Sequence, residues 1–230
     1  MRFFFLFLFL NTFILQAQEL TGQQLLDKAI QHHDPNGNWS GFAGHFQVTM
    51  TTPDRPERVS DIMINNSQNV FELKYNLGDS EYIFKTHGSD CESFLNSKKF
   101  ESSECRKASF WRDYYTYLYG LPMKLEDPGT MITDQVERKT FKGKEYLVLE
   151  VMYDENVGSD VWYFYFDPTT YKMEIYQFFK RDAQGDVDTN SGEYIILTEN
   201  YETSGINMPK VRKWYYNKDD KFLGTDVITN

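Results

Sequence analysis

His32, His33 and Asp34 stand side by side in "HHDPNGNW", and imidazole beside carboxylate is the usual equipment for metal ligation and proton transfer. Their spacing argues against that use. Consecutive residues of a helix point in different directions, so the two imidazoles do not converge on one ion. A helix C-terminus, where histidine interacts favourably with the dipole, followed by an Asp-Pro turn accounts for the same residues. His45 and His87 stand alone, and Glu72, Glu81, Glu150 and Glu174 fall in strand-like segments with no pairing that spacing reveals. The sequence holds none of the GxSxG, HExxH, P-loop or Rossmann glycine patterns. An enzymatic reading therefore has only His33 and Asp34 to rest on, and no cofactor or metal is expected.

Cys91 and Cys105 are the only cysteines. They lack the CxxC spacing of zinc sites. In an exported chain an even pair reads as a disulfide, with two free thiols as the alternative.

Export is expected from "MRFFFLFLFLNTFILQA". Arg2 precedes an apolar run from Phe3 to Leu10 that resumes at Phe13, and small Ala17 precedes the polar "QELTGQQ". This order predicts a signal peptide over residues 1–17, cleaved after Ala17. A membrane anchor is the alternative, but Asn11 breaks the run and it falls short of the roughly 20 residues a spanning helix needs. No cysteine stands near the cleavage point, so no lipid anchor is expected. Residues 18–230 are then read as one domain, periplasmic or extracellular, soluble and monomeric. The net charge of −10 argues against nucleic acid and anionic membrane surfaces as partners.

Rings are more telling than titratable groups. The segment "VWYFYF" puts Trp162, Phe164 and Phe166 on one face of a strand and Val161, Tyr163 and Tyr165 on the other. A strand with one wet face alternates apolar with polar, so both faces are expected to be covered, by a helix, a second layer or a ligand. "RKWYYN" repeats the pattern, with Trp214 and Tyr216 opposite Tyr215. Such rings either fill a core or line a cavity for an apolar ligand, and tyrosine and tryptophan suit a wall because each carries one polar handle.

The elements that position these residues are legible in outline. Thr21 and Gln24 form a capping box ahead of a helix with Leu25, Leu26, Ala29 and Ile30 on one face, stopped by Pro35 and Gly37. Most of the remainder reads as strand: "FAGHFQVTM", "NVFELKYNL", "EYIFK", "QVERKTF", "KEYLVLEVMY", "DVWYFYF", "YKMEIYQFF", "EYIILTENY", "NMPKVRKWYYN" and "KFLGTDVI". Turns of a few residues between them favour an antiparallel meander. From Cys91 to Leu125 the strands are expected to give way. There "ASFWRDYYTYLYG" spaces Phe110, Tyr114 and Leu118 for one helix face, with Gly120 and Pro122 as the stop.

This order of helix, long meander, helical insertion and further strands resembles the LolA-like superfamily of periplasmic lipoprotein carriers and related lipid-binding proteins. The segments "HHDPNGNW" (32–39), "RDYYTYLYGLPMKL" (112–125), "WYFYFDPTTYKMEIYQF" (162–178) and "MPKVRKWYY" (208–216) resemble a group of uncharacterised exported proteins of Gram-negative bacteria. The resemblance implies a mainly β protein, an incomplete antiparallel barrel covered by short helices, whose concave face holds acyl chains. It implies no reaction. The expected lining is Tyr114, Tyr115, Leu118, Met123, Trp162, Phe164, Phe166 and Trp214. The expected function is to bind or carry a lipid or other hydrophobic small molecule. The alternative is a structural or interaction module of the envelope, with a filled aromatic core and a protein partner.

Overall fold

The computed structural model describes residues 20–100 and 105–229. The expected signal peptide and its cleavage after Ala17 lie outside the described residues. Helix α1 (Gly22–His33) starts at the expected capping box. The Thr21 hydroxyl accepts from the Gln24 N–H, and the Gln24 amide oxygen accepts from the Thr21 N–H. Leu25, Leu26 and Ala29 are fully buried on its inner face.

Six strands follow: β1 (Ala43–Thr52), β2 (Arg55–Asn65), β3 (Val70–Leu77), β4 (Ser80–His87), β5 (Asp90–Leu95) and β6 (Lys98–Lys99). Helix α2 (Cys105–Gly120) interrupts the meander. Then come β7 (Thr130–Ile132), β8 (Glu137–Phe141), β9 (Lys144–Tyr153), β10 (Val161–Phe166), β11 (Met173–Phe179), β12 (Glu193–Thr203), β13 (Ile206–Tyr216) and β14 (Phe222–Ile228). The fourteen strands make one antiparallel sheet that does not close, in the order β6-β5-β4-β3-β2-β1-β14-β13-β12-β11-β10-β9-β7, with β8 also pairing β9. The expected incomplete antiparallel barrel with covering helices is the fold found.

Two expectations need correction. Strand β2 was not anticipated, because Arg55, Glu57 and Arg58 open it and Ser60 and Asp61 dilute its apolar alternation. The interruption also begins later than expected: Cys91 lies within β5, whose inward Ser93 is polar yet buried.

The sheet curls around α1 and α2, and the main core fills the space between them. Helix α1 packs on β9 and β13, and α2 on β3, β4, β5 and β13. A second cluster of Tyr146, Val148, Tyr165, Ile175 and Tyr194 lies on the other face of β9–β12. Among the described residues no second layer covers it. Phe141 of β8 packs against Tyr165 and Tyr194, and Lys139, Lys142 and Lys144 place ammonium groups over Tyr163, Tyr194 and Tyr146. Lysine stems covering rings while their heads reach water is an inexpensive way to finish such a face.

Several ties hold the helices to the sheet, three of them at helix ends. His33, almost completely buried, joins α1 to two strands: its Nδ1 donates to the Asn207 carbonyl at 2.6 Å and its Nε2 accepts from the Met173 N–H at 3.0 Å. The Cys91–Cys105 disulfide joins β5 to the first residue of α2. Arg212 of β13, fully buried, reaches the other end of α2. Its guanidinium donates to the carbonyls of Leu118 and Pro209, both at 3.0 Å, and stacks 3.8 Å from the Tyr119 ring. Carbonyls in the last helical turn lack helical partners and carry the negative end of the dipole, so a cation there is doubly suited. Gly120 lets this end approach closely, because a Cβ there would lie 2.2 Å from the Trp39 ring.

Candidate functional site

Helix α2 covers the sheet mainly over β3, β4 and β5, and beside it an open cleft runs along the concave face toward β10–β14. One part, of about 700 Å³, lies between Phe110, Tyr114, Tyr117 and Leu118 of α2 and Trp162, Phe178, Trp214 and the β14 segment Leu223–Asp226. A second part, of about 650 Å³, continues past Tyr117 and Trp162 to Tyr153 and Val157. Both sizes fall within the range of small-molecule sites.

The sheet register explains why these residues meet. Trp162 pairs with Phe178, and Phe178 with Glu193, so these three share one row of the inner face. The next row holds Phe164, Tyr176, Ile195, Trp214 and Gly224. A Cβ on Gly224 would lie 2.5 Å from the Thr51 carbonyl oxygen, so only glycine allows the two strands this approach. A third row runs Leu197, Arg212, Asp226, Met50 and Arg58.

Of the expected lining residues, Tyr114, Leu118, Trp162 and Trp214 border the cleft. Tyr115, Phe164 and Phe166 do not. They are core residues, at 2%, 0% and 0% exposure. Tyr115 is fixed there by its hydroxyl, which donates to Ser60 at 3.1 Å. Met123 is buried and borders a different depression near the end of α1. Face periodicity places a ring inside the sheet but does not say how far along the strand the covering helix extends.

Phe110 is also displaced from its expected position. It stands at the mouth of the cleft, 59% exposed, while Ala108, Tyr115, Leu118 and Tyr119 form the buried face of α2. Residues that sequence reasoning missed include Tyr117, Phe178, Asp160, Glu193 and Asp226. The hairpin around "DPTT" was legible, and extending its pairing by one strand would have brought Glu193 beside Phe178.

The electrostatics of the cleft are one-sided. Burial raises the pKa of Asp160, Glu193 and Asp226, with Lys180 opposing the first two and Arg212 the third. The Trp214 indole N–H donates to Oδ2 of Asp226 at 3.0 Å. Tyr114 and Tyr117 are raised well above the usual phenol range by burial, so both are neutral hydroxyls. The Tyr117 and Tyr153 hydroxyls bond to each other on the cleft wall.

The depression near α1 is polar, and most of its charged side chains are already engaged. Asp34 accepts from the N–H groups of Asn38 and Trp39 at 2.7 and 2.8 Å, Arg112 pairs with Asp113, and Lys124 with Asp127. His32, His33 and Asp34 do not converge, and the described residues contain no group of three or more histidine, cysteine, aspartate or glutamate side chains able to hold a metal. Glu72, Glu81 and Glu174 sit in cross-strand ion pairs with Lys85, Lys74 and Lys144.

The model of a family of unknown function, DUF6503, matches residues 1–230. No curated protein matches the chain. Among solved structures it is similar to a LolA superfamily protein from Nitrosomonas europaea, at 11% identity and a TM-score of 0.56, over 92% of this chain and 93% of that one. It is also similar to a DUF1329 family protein from Desulfovibrio piger, at 8% identity and a TM-score of 0.52, over 92% of each chain. These similarities establish a LolA-like fold.

Proposed function

The chain belongs to the DUF6503 family of unknown function, and we propose that it binds a lipid or other hydrophobic ligand in the cleft beside α2, as a binding protein rather than an enzyme. The observation that carries this reading is the set of rings left facing open space. Trp162, Trp214, Tyr114, Tyr117 and Phe178 line the cleft instead of packing it shut, and Phe110 is held at its mouth. Half-buried rings that border an open cleft are the usual lining of a small-molecule site. The LolA-like fold supports the reading.

The site of action is the periplasm or the exterior. A disulfide suits an oxidising compartment, and no helix among the described residues is long and apolar enough to cross a membrane. Mass spectrometry of the protein recovered from cells should find a chain starting after Ala17.

The neutral fluorophore N-phenyl-1-naphthylamine tests the cleft. It should bind with a blue-shifted, enhanced emission and be displaced by long-chain amphiphiles, and native extraction should recover a co-purifying lipid. Absence of both would leave the alternative, an interaction module of the envelope, which the fully packed Tyr115, Phe164 and Phe166 favour.

A further inference from the structure

We propose that the cleft selects amphiphiles whose head is an organic ammonium, with Asp160 and Glu193 receiving the charge and the surrounding rings receiving both head and chain. The inference rests on the binding function proposed above and names its ligand class.

Asp160 and Glu193 both line the cleft beside Trp162 and Phe178. Neither forms an ion pair or a side-chain hydrogen bond among the described residues. Partly buried carboxylates without partners are costly to keep charged in an apolar setting, and their environment already opposes ionisation. A cation entering the cleft would relieve that cost. Aromatic side chains flank the same place: Trp162 and Phe178 stack with ring centroids 4.8 Å apart, and Tyr117 stands edge-on to Trp162 at 5.6 Å. Rings beside carboxylates are the arrangement that recognises alkylammonium groups, through cation–π attraction and charge together.

Deeper in, Asp226 is 7% exposed and lines the cleft. Its Oδ2 accepts from Trp214, while its Oδ1 has no hydrogen-bond partner among the described residues.

The nearby cations do not cancel this field. Lys124 is paired with Asp127 and Arg112 with Asp113. Arg212 lies next to Asp226 in the sheet register and Arg58 one strand beyond its other neighbour, Met50, and both balance Asp226 rather than the other two acids. Lys180 acts on both Asp160 and Glu193, yet it closes no ion pair with either. A carboxylate head would therefore meet like charge in the cleft, and an alcohol would leave the acids without a counter-charge.

Competition against bound N-phenyl-1-naphthylamine tests the selection, using decyltrimethylammonium, decanol and decanoate below their aggregation concentrations. The ammonium should compete at least about tenfold more strongly than either chain-matched compound, and added salt should shrink that advantage. In the Asp160→Asn/Glu193→Gln variant the preference should disappear while the fluorophore still binds. If the fluorophore binds but the three compete equally, or if the variant keeps the preference, the inference is overturned and the cleft function stands. If the fluorophore does not bind the native protein and native extraction recovers no lipid, both fall.

Discussion

Burial holds the His33 imidazole neutral, with its pKa lowered to about 4. Its hydrogen bonds require that form, because the Asn207 carbonyl can only accept and the Met173 N–H can only donate. In the unfolded chain the imidazole returns to its ordinary pKa of about 6.5. Above that pH both states are neutral and His33 adds no pH dependence. Between about 6.5 and about 4 the unfolded chain takes up a proton that the folded one refuses, so stability falls as pH falls, then levels off. The full effect is about 3 kcal/mol. Asp160, Glu193 and Asp226, whose pKa values are raised, act in the opposite direction, so a variant is needed to isolate the histidine. Urea unfolding at pH 7.5 and 4.5 should show a larger loss in the native protein than in His33→Gln. Equal losses would mean that the imidazole is not held neutral by the fold. Two rings of one strand give a second test. Phe164→Ala should cost about 3–5 kcal/mol as a fully buried ring, with fluorophore affinity per folded molecule retained. Trp162→Ala, at the cleft wall, should cost less and weaken the fluorophore several-fold.

Helix α2 decides which part of the concave face is core and which is cleft, and it is tethered at both ends. The disulfide closes a short loop between β5 and the helix start, since its cysteines are 14 positions apart. In the chain-entropy account a loop of that size contributes about 3 kcal/mol. The Cys91→Ser/Cys105→Ser variant should therefore unfold at lower denaturant, and hydrogen exchange should speed up first in α2 while β12–β14 stay protected. Exchange that rises evenly over the chain would show that the bridge does not act on this helix in particular. The tether also explains what was legible in advance. Alternation and turn residues marked ten strands and the capping box, because those signals are local. Strand β2 escaped because its inward residues Ser60, Ile62 and Ile64 follow a charged start with no long apolar alternation. The ring types at the site were legible, but their division between wall and core depends on where Arg212 catches the carbonyl of Leu118, a contact 94 positions apart. Nothing in the spacing of Asp160, Glu193 and Asp226 marks them as site residues, and strand register is what brings Glu193 and Asp226 to the concave face.

A sheet that does not close leaves two edges, and an unprotected edge is a template for a second chain. Here both are short, with charged residues in or beside them. One ends in β6, which consists of Lys98 and Lys99 alone. The other ends in β7, of three residues, and β8, which carries Glu137, Arg138 and Lys139. The net charge of −10 adds repulsion between copies. Sedimentation at micromolar concentration should therefore find a monomer. Replacing both lysines of β6 in Lys98→Val/Lys99→Val removes the edge charges and puts β-branched residues in their place. It also frees Glu92 from its ion pair with Lys99, a surface contact worth little to stability. The variant should keep its folded stability within about 1 kcal/mol and associate as its concentration rises. A native protein that is already dimeric, or a variant that stays monomeric throughout, would show that the edge charges are not what keeps this sheet solitary.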